Sequence, residues 1–312
     1  MRILLLGGSG HVGWELQRSL APLGEVLAPA RAELDLFDNA ALREAVRSLR
    51  PDVIVNAAAF TDVDRAESEP DLARSLNALV PAALATEARQ VGATLIHYST
   101  DYVFDGTKGQ PYQEHDTPHP LNVYGRTKLE GEQAIRSLGG LFVVLRTGWV
   151  YSLRRPCFVT RVLEWARRQP TLRIAVDQVG SPTWSRPLAQ ATVGLLVKAA
   201  AEGVDWLQQH TGLYHLACRG EVNRYEWARA ILSCDPRKSE HVVQDVQPGA
   251  SAEFAAPAAR PGYSALDSSS FAQAFGVQLP EWQDALRLAL TPGPSGPAGA
   301  DTEPGTVLAG TA

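Results

Sequence analysis

The sequence predicts an α/β protein with a doubly wound parallel sheet and a smaller mixed α/β domain, and three observations support this fold class. From residue 2 to residue 145, short aliphatic runs alternate with longer segments of helical period, which is the pattern of βαβ units. A glycine-rich loop directly follows the first of these runs. Beyond Trp149 the alternation becomes irregular, and loops rich in Pro, Gly and Ser separate the helical stretches.

The predicted strands and helices follow this alternation. In the first half, strands are expected at 3–6, 26–28, 52–56, 94–99 and 141–146, and helices at 12–23, 40–49, 72–91 and 123–138. In the second half, helices are expected at 158–168, 189–202, 225–232 and 282–290. We therefore predict a dinucleotide-type domain at 1–150, which could regain segments from the second half, and a smaller domain at 151–290. The tail at 291–312 is rich in Pro and Gly and is expected to be disordered.

The composition is that of a globular chain and excludes several classes of function. The 312 residues are 45% hydrophobic and 20% charged, with 29 Lys plus Arg against 34 Asp plus Glu. The resulting net charge of -5 gives no general basic surface, so we expect no nucleic-acid partner. The apolar stretch 191–201 is interrupted by Lys198 and is shorter than the roughly 20 residues of a membrane span, so we expect no membrane insertion. Three widely spaced cysteines predict reduced thiols and a cytoplasmic location.

The glycine-rich loop occupies residues 7–13, between the first strand and the first helix. Gly7 permits a tight turn, Gly10 lets the backbone approach a pyrophosphate, and Gly13 allows the helix to pack closely on the strand. The helix start at His11 and Val12 presents free N–H groups to the phosphates. This context favours a Rossmann-like dinucleotide site over an ordinary glycine turn.

The residues after the second strand bear on the choice of cofactor. Pro29 stands about where an acid often binds the adenosine ribose, and Arg31 follows it. Without that carboxylate, a 2′-phosphate is not repelled and Arg31 could pair with it, unless Arg31 is simply a solvated surface residue. Asp35 and Leu36 could hydrogen-bond and cover the adenine. The cofactor is therefore expected to be NADPH or NADH.

Tyr124 and Lys128 form a Tyr-x-x-x-Lys pair near the start of the helix predicted at 123–138. This spacing puts both side chains on one face, about 5 to 6 Å apart at Cβ. An ammonium beside a tyrosine favours the phenolate and would make the phenol a usable proton donor and acceptor nearer to neutral pH. Thr100 and Asp101 follow the fourth strand and should face the same crevice, where Thr100 could polarise a carbonyl. Alternatively, Thr100 caps the loop and Asp101 begins a turn.

The ordered motifs of the chain resemble the dTDP-4-dehydrorhamnose reductases, which are extended short-chain dehydrogenases/reductases. The likeness covers roughly residues 1 to 290. Besides the glycine loop and Lys128, its motifs are NAAA at 56–59, STDYVFDG at 99–106, PLNVYG at 120–125, RTGWVY at 146–151, GSPT at 180–183, GLYHL at 212–216 and RP at 260–261.

The resemblance implies a domain that binds NAD(P) and a smaller domain that binds the nucleotide sugar. It implies reduction of the C4 carbonyl of dTDP-4-dehydro-L-rhamnose to dTDP-L-rhamnose, the last step of dTDP-rhamnose biosynthesis. Tyr124 would donate the proton, and Lys128 would hold the nicotinamide ribose and lower the pKa of the tyrosine. Thr100 would assist where many relatives use serine.

Further roles follow from the same resemblance. Asp101 and Trp149 would contact the sugar, although Trp149 alone could equally be a half-buried core aromatic residue. The cofactor path would be lined after the third strand by Ala58, Ala59 and Thr61. The substrate diphosphate needs cations from the second half, and Arg260 is the candidate.

The sequence predicts no metal site. The acidic residues at 62–69 have irregular spacing and suit a solvated helix start, and the seven histidines form no ligand cluster. Some relatives pair subunits through a metal held by acidic residues. Glu15 could be one such ligand, but the segment 185–187 offers no second carboxylate, so a homodimer would have to form without that bridge.

Two alternatives stay open at this point. A related nucleotide-sugar epimerase or reductase would share the Tyr124 and Lys128 pair and act on another sugar. A non-catalytic NADP-binding regulatory subunit would have no chemical need for either residue.

Overall fold

The computed structural model of the chain describes residues 1–254 and 256–291. Apart from Thr291, the tail predicted to be disordered lies outside the described residues. The described strands are β1 (Arg2–Leu6), β2 (Glu25–Leu27), β3 (Val53–Asn56), β4 (Thr94–Thr100), β5 (Phe142–Thr147), β6 (Val150–Tyr151), β7 (Thr171–Ala175), β8 (Val179–Gly180), β9 (Thr183–Trp184), β10 (Gly212–His215), β11 (Val222–Asn223) and β12 (Asp245–Gly249).

The described α-helices cover the sheet and pack around the short strands that follow β5. They are α1 (His11–Leu20), α2 (Asn39–Leu49), α3 (Val63–Ser68), α4 (Pro70–Arg74), α5 (Val80–Val91), α6 (Val123–Leu138), α7 (Phe158–Ala166), α8 (Ser185–Glu202), α9 (Val204–Gln209), α10 (Arg224–Cys234), α11 (Ser269–Phe275) and α12 (Trp282–Leu290). None of the helices within the described ranges is long and apolar enough to cross a membrane.

Six parallel strands form the central sheet in the order β10-β5-β4-β3-β1-β2. The strand order reverses at β1, which lies between β2 and β3. In open α/β sheets such a switch point opens a crevice at the carboxyl ends of the strands. The predicted doubly wound parallel sheet is thus confirmed. Its edge strand β10 comes from the second half of the chain, while the domain boundary at residue 150 stays a prediction.

Both faces of the sheet are buried, as a parallel sheet covered by helices requires. Side chains alternate along β1, so Ile3 and Leu5 face the core that contains α1 and α8, while Leu4 and Leu6 face the core that contains α2 and α5. This burial explains why the strands read as continuous aliphatic runs in the sequence.

The helix predicted at 72–91 is interrupted in the structure. α4 ends at Arg74, a π-helical turn covers Ser75–Leu79, and α5 begins next to Pro81. Proline has no N–H to donate, so the regular ladder cannot continue through it. The wide turn places Asn77, whose side chain bonds both backbone groups of Phe60, at 2.8 and 3.1 Å.

Several elements of the second half were not predicted. The helices α9 and α11 have only six and seven residues. The parallel pair of β7 and β12 joins segments that are far apart in the chain, so local patterning could not reveal it. The short pair of β8 and β11 leads directly into α10, which begins at Arg224 beside the crevice.

A buried ion pair fixes α6 on the sheet. The carboxylate of Glu132 on α6 accepts two hydrogen bonds from Arg146 on β5, at 2.9 and 2.6 Å, and a third from the Ser99 hydroxyl on β4, at 2.5 Å. Glu132 and Arg146 are only 1% and 2% exposed. At the start of the helix, the Asn122 side chain caps it by accepting the amide of Gly125 at 2.8 Å.

We expect Arg146→Met to lower the free energy of unfolding by about 3 to 5 kcal/mol, because it leaves the Glu132 carboxylate buried without its charged partner. Urea unfolding of the variant and the wild type measures this change. The double variant Arg146→Met/Glu132→Leu should regain most of the loss, since neither charge is then buried.

The matched control is Arg287→Met, which removes an exposed arginine paired with Asp284. Exposed pairs contribute about 0 to 1 kcal/mol, so this variant should unfold like the wild type. If Arg146→Met were no less stable than Arg287→Met, the buried pair would not anchor α6.

Candidate active site

A cavity of about 820 Å³ is lined by residues from the glycine loop, from the segment after β3, from the ends of β4 and β5, and from α6. It brings together these residues expected from the sequence: Gly7, Gly10, His11, Val12, Ala59, Thr61, Thr100, Asp101, Tyr124, Lys128 and Trp149. Other expected residues are not among those that line it: Gly13, Arg31, Asp35, Leu36, Ala58 and Arg260.

The glycine loop has the geometry of a pyrophosphate cradle. Gly7 has a φ of +80°, and a Cβ there would come within 2.6 Å of the Ala58 nitrogen. A Cβ on Gly13 would lie 2.0 Å from the Gly7 carbonyl oxygen, so the helix packs on the loop as expected. Gly10 is the N-cap of α1, and no side chain caps this helix start. The free amides at His11 and Val12 therefore fit a dinucleotide phosphate.

A segment after β6 lies against this loop, and sequence reasoning missed it. Arg155 donates a hydrogen bond to the Ser9 carbonyl at 2.7 Å, and the Ser152 hydroxyl lies 2.7 Å from Nδ1 of His11. Burial, and then the charge of Arg155, lowers the pKa of His11. Arg155 therefore places a cation in the cavity beside the phosphate cradle.

The residues expected near the adenosine lie outside the cavity. Arg31 is exposed, with its guanidinium carbon 5.7 Å from the centre of the Phe37 ring. The Asp35 carboxylate accepts the amide of Phe37 at 3.1 Å, and Leu36 packs against the core. The binding roles of these residues, and of Ala58, stay predictions.

Tyr124 and Thr100 lie beside each other in the cavity. Burial raises the pKa of the Tyr124 phenol above its usual value, and hydrogen bonding with Thr100 opposes this rise. Lys128 is not among the groups that shift the pKa of Tyr124, so its expected effect on the tyrosine stays a prediction. The phenol is protonated at neutral pH, which is the form that donates a proton.

Lys128 is held by residues that the sequence did not single out. Its ammonium donates to the Tyr98 carbonyl at 2.6 Å and lies 3.3 Å from Nε2 of His97. Lys128 is 1% exposed, and this burial lowers its pKa to about 8, opposed by the charge of Glu132. The lysine is thus locked in place below the cavity.

Both ring nitrogens of His97 have polar neighbours, Asn56 on one side and Lys128 on the other. The Asn56 carbonyl oxygen accepts the amide of Ala58 at 3.1 Å, so the Asn56 amide group is the one that faces Nδ1 of His97, at 3.1 Å. Burial, and then the charge of Lys128, holds the pKa of His97 well below its usual value, so the ring stays neutral.

Asp101 is a buried carboxyl at the end of β4. The Ser264 hydroxyl donates to it at 2.5 Å and the Thr100 hydroxyl at 3.1 Å. Burial raises the pKa of Asp101 to about 6, against the opposing effect of these hydrogen bonds. The Thr100 hydroxyl also accepts the amide of Tyr102 at 3.1 Å, so Thr100 caps the loop, which was the alternative expected from the sequence. Thr100 nevertheless lines the cavity.

Of the residues expected to bind the substrate, Trp149 lines the cavity and Arg260 does not. Trp149, with a φ of +46°, lines the cavity and stacks on Trp227 at 5.4 Å between ring centres. Arg260 donates to both carboxylate oxygens of Asp64, at 3.1 and 2.7 Å. Arg224, which the sequence analysis did not single out, lines the cavity and lies on the ring of Trp149.

Comparison with known proteins gives consistent matches over more than nine tenths of the chain. The dTDP-4-dehydrorhamnose reductase of Salmonella typhimurium is 41% identical over 297 residues, which cover 93% of this chain and 97% of that enzyme. The dTDP-4-dehydrorhamnose reductase of Burkholderia thailandensis is 39% identical, over 93% of this chain and 98% of that enzyme.

A solved structure agrees with these relatives. The crystal structure of dTDP-4-dehydrorhamnose reductase from Bacillus anthracis in complex with NADP superimposes with a TM-score of 0.82 at 30% identity, and covers 92% of this chain and 97% of that one. The family model described as RmlD substrate binding domain matches residues 1–293. These matches confirm the resemblance seen in the sequence. The chain belongs to the family of the dTDP-4-dehydrorhamnose reductases.

Proposed function

We propose that this protein reduces the C4 carbonyl of dTDP-4-dehydro-L-rhamnose to the alcohol of dTDP-L-rhamnose, with NADPH or NADH as reductant. The observation that carries the proposal is the meeting of Thr100, Tyr124 and Lys128 in one cavity with the glycine loop. The names of the relatives support the same substrate.

The nicotinamide cofactor supplies the hydride when it is bound. The uncapped start of α1 and the glycine loop bind its pyrophosphate, with Arg155 adding a positive charge at the same place. The residues expected to hold its ribose and adenosine are those of the sequence analysis, Lys128 among them. Lys128 is fixed by its hydrogen bond to the Tyr98 carbonyl, and its other N–H groups can donate to the ribose. This arrangement suits a binding role.

Tyr124 donates the proton in the proposed reaction. The carbonyl carbon at C4 takes the hydride, and the carbonyl oxygen takes the phenolic proton, so the product is the C4 alcohol. Burial keeps the phenol protonated until the oxygen begins to carry charge. The Thr100 hydroxyl lies beside the phenol and stabilises the same developing charge. Asp101 and Trp149 bind the sugar in this proposal.

A homodimer and a cytoplasmic location stay predictions. Glu15, the candidate ligand of a bridging metal, forms an ion pair with Arg186 at 3.3 Å. A homodimer would therefore be expected to form without a metal bridge.

Tyr124→Phe should lower kcat by about two to four orders of magnitude, because it removes the general acid. Oxidation of NADPH with enzymatically generated dTDP-4-dehydro-L-rhamnose measures the rate, and quenching of protein fluorescence measures the Kd for NADPH, which should not change. Tyr225→Phe is the control, since Tyr225 is absent from the cavity lining. Turnover of Tyr124→Phe at the wild-type rate would exclude this mechanism.

Arg31→Ala should selectively weaken the use of NADPH if Arg31 pairs with the 2′-phosphate. Charge-assisted hydrogen bonds contribute about 1.5 to 3 kcal/mol, so kcat/KM for NADPH should fall roughly ten- to a hundredfold. The value for NADH, which has no 2′-phosphate, serves as the internal control and should stay constant. An unchanged ratio between the two cofactors would show that Arg31 is only a surface residue.

A further inference from the structure

Arg224 is a cation in the cavity with an unusual environment. It is the first residue of α10, and its guanidinium carbon lies 3.5 Å from the centre of the Trp149 ring, 4.9 Å from Phe158 and 5.4 Å from Trp227. In the part of the chain that the structure describes, no carboxylate oxygen lies within ion-pair distance of it. Its polar neighbour is the Tyr102 hydroxyl.

The charge of Arg224 is incompletely compensated. Burial and the charge of Arg260 lower its pKa, while Tyr102 and Asp101 favour the charged form, which an arginine keeps in proteins. The Asp101 carboxylate forms no ion pair with Arg224, and its oxygens already accept the hydroxyls of Ser264 and Thr100. A desolvated cation in this position is stabilised by an anionic ligand.

The aromatic residues orient the guanidinium for such a ligand. Trp149 lies closest to the guanidinium, and Phe158 and Trp227 lie within 5.4 Å of its carbon, so the three rings limit its rotation. Its N–H groups lie at the edge of the plane, and this edge forms paired hydrogen bonds with phosphate oxygens. Because the rings already restrict the side chain, binding costs less conformational entropy.

Two arginines line the cavity, and they belong to different parts of it. Arg155 bonds the glycine loop, where the cofactor pyrophosphate is expected. Arg224 lies at the start of α10, against Trp149 and near Asp101, the two residues expected to contact the sugar. The proposed reaction brings two diphosphates into the site, one in the cofactor and one in the substrate. Arg260 is a poorer partner for the second, because Asp64 holds its guanidinium.

We propose that Arg224 binds the diphosphate of the nucleotide-sugar substrate. This inference rests on the proposed function and deepens it by assigning the substrate's charged group to one residue. The sugar is joined to the diphosphate through a single oxygen, so a sugar against Trp149 brings its phosphates close to the guanidinium edge.

The test compares ligands that differ only in phosphate. Calorimetry measures the Kd of thymidine and of dTDP for the wild type, Arg224→Met and Arg224→Lys. The wild type should bind dTDP more tightly than thymidine, and Arg224→Met should reduce this ratio about ten- to a hundredfold, the usual scale for charge-assisted hydrogen bonds. Arg224→Lys should keep part of the ratio, because it keeps the charge and loses the planar donor pair.

The control is Arg229→Met on the same helix, where the arginine is exposed beside Glu226 and does not line the cavity. This variant should bind both ligands like the wild type. The Kd for NADPH of each variant reports whether the cofactor site is intact.

Two results would overturn the inference. Arg224→Met and Arg224→Lys could both bind dTDP like the wild type, or they could lose thymidine and dTDP equally, which would mean that Arg224 only shapes the pocket. Failure of the proposed function gives a different result: the wild type would not oxidise NADPH with dTDP-4-dehydro-L-rhamnose, whatever Arg224 does to dTDP binding.

Discussion

The site depends on the buried pair of Glu132 and Arg146. It joins the middle of α6 to β5, and the Ser99 hydroxyl adds β4 to the same carboxylate. Tyr124 and Lys128 lie on the first two turns of that helix, so their positions over the strand ends follow from this anchor. A buried ion pair seldom adds net stability over an apolar packing, but it is costly to break, which makes it suited to holding one helix in one register.

Burial also sets the chemistry of the two residues that the helix carries. It raises the pKa of the Tyr124 phenol and lowers the pKa of Lys128 to about 8, because each charged form loses its water. A protonated phenol suits reduction, where the enzyme gives a proton away. The neutral His97 ring lies between Asn56 and Lys128 and connects the site to the end of β3.

Much of the fold was predictable because it depends on local sequence patterns. The bounds of α6 and α12 were predicted as observed, and the glycine loop and the Tyr124 and Lys128 pair are short motifs in a recognisable context. The remaining site residues come from long-range contacts. Arg155 meets Ser9 across 146 positions. Similarly, Arg224 reaches Trp149 only because α10 packs against the segment that follows β5. The direction of the Tyr124 pKa shift depends on burial, which spacing along a helix does not reveal.

The central claim is that hydride from the nicotinamide reaches C4 of the sugar in a net reduction. It is tested most directly with NADPH doubly deuterated at the nicotinamide C4 and with dTDP-4-dehydro-L-rhamnose, followed by NMR of the product. The account predicts one cofactor oxidised per product and deuterium at C4 of dTDP-L-rhamnose. A product without deuterium at C4, or a changed sugar with no net oxidation of cofactor, as an epimerase would give, would contradict it.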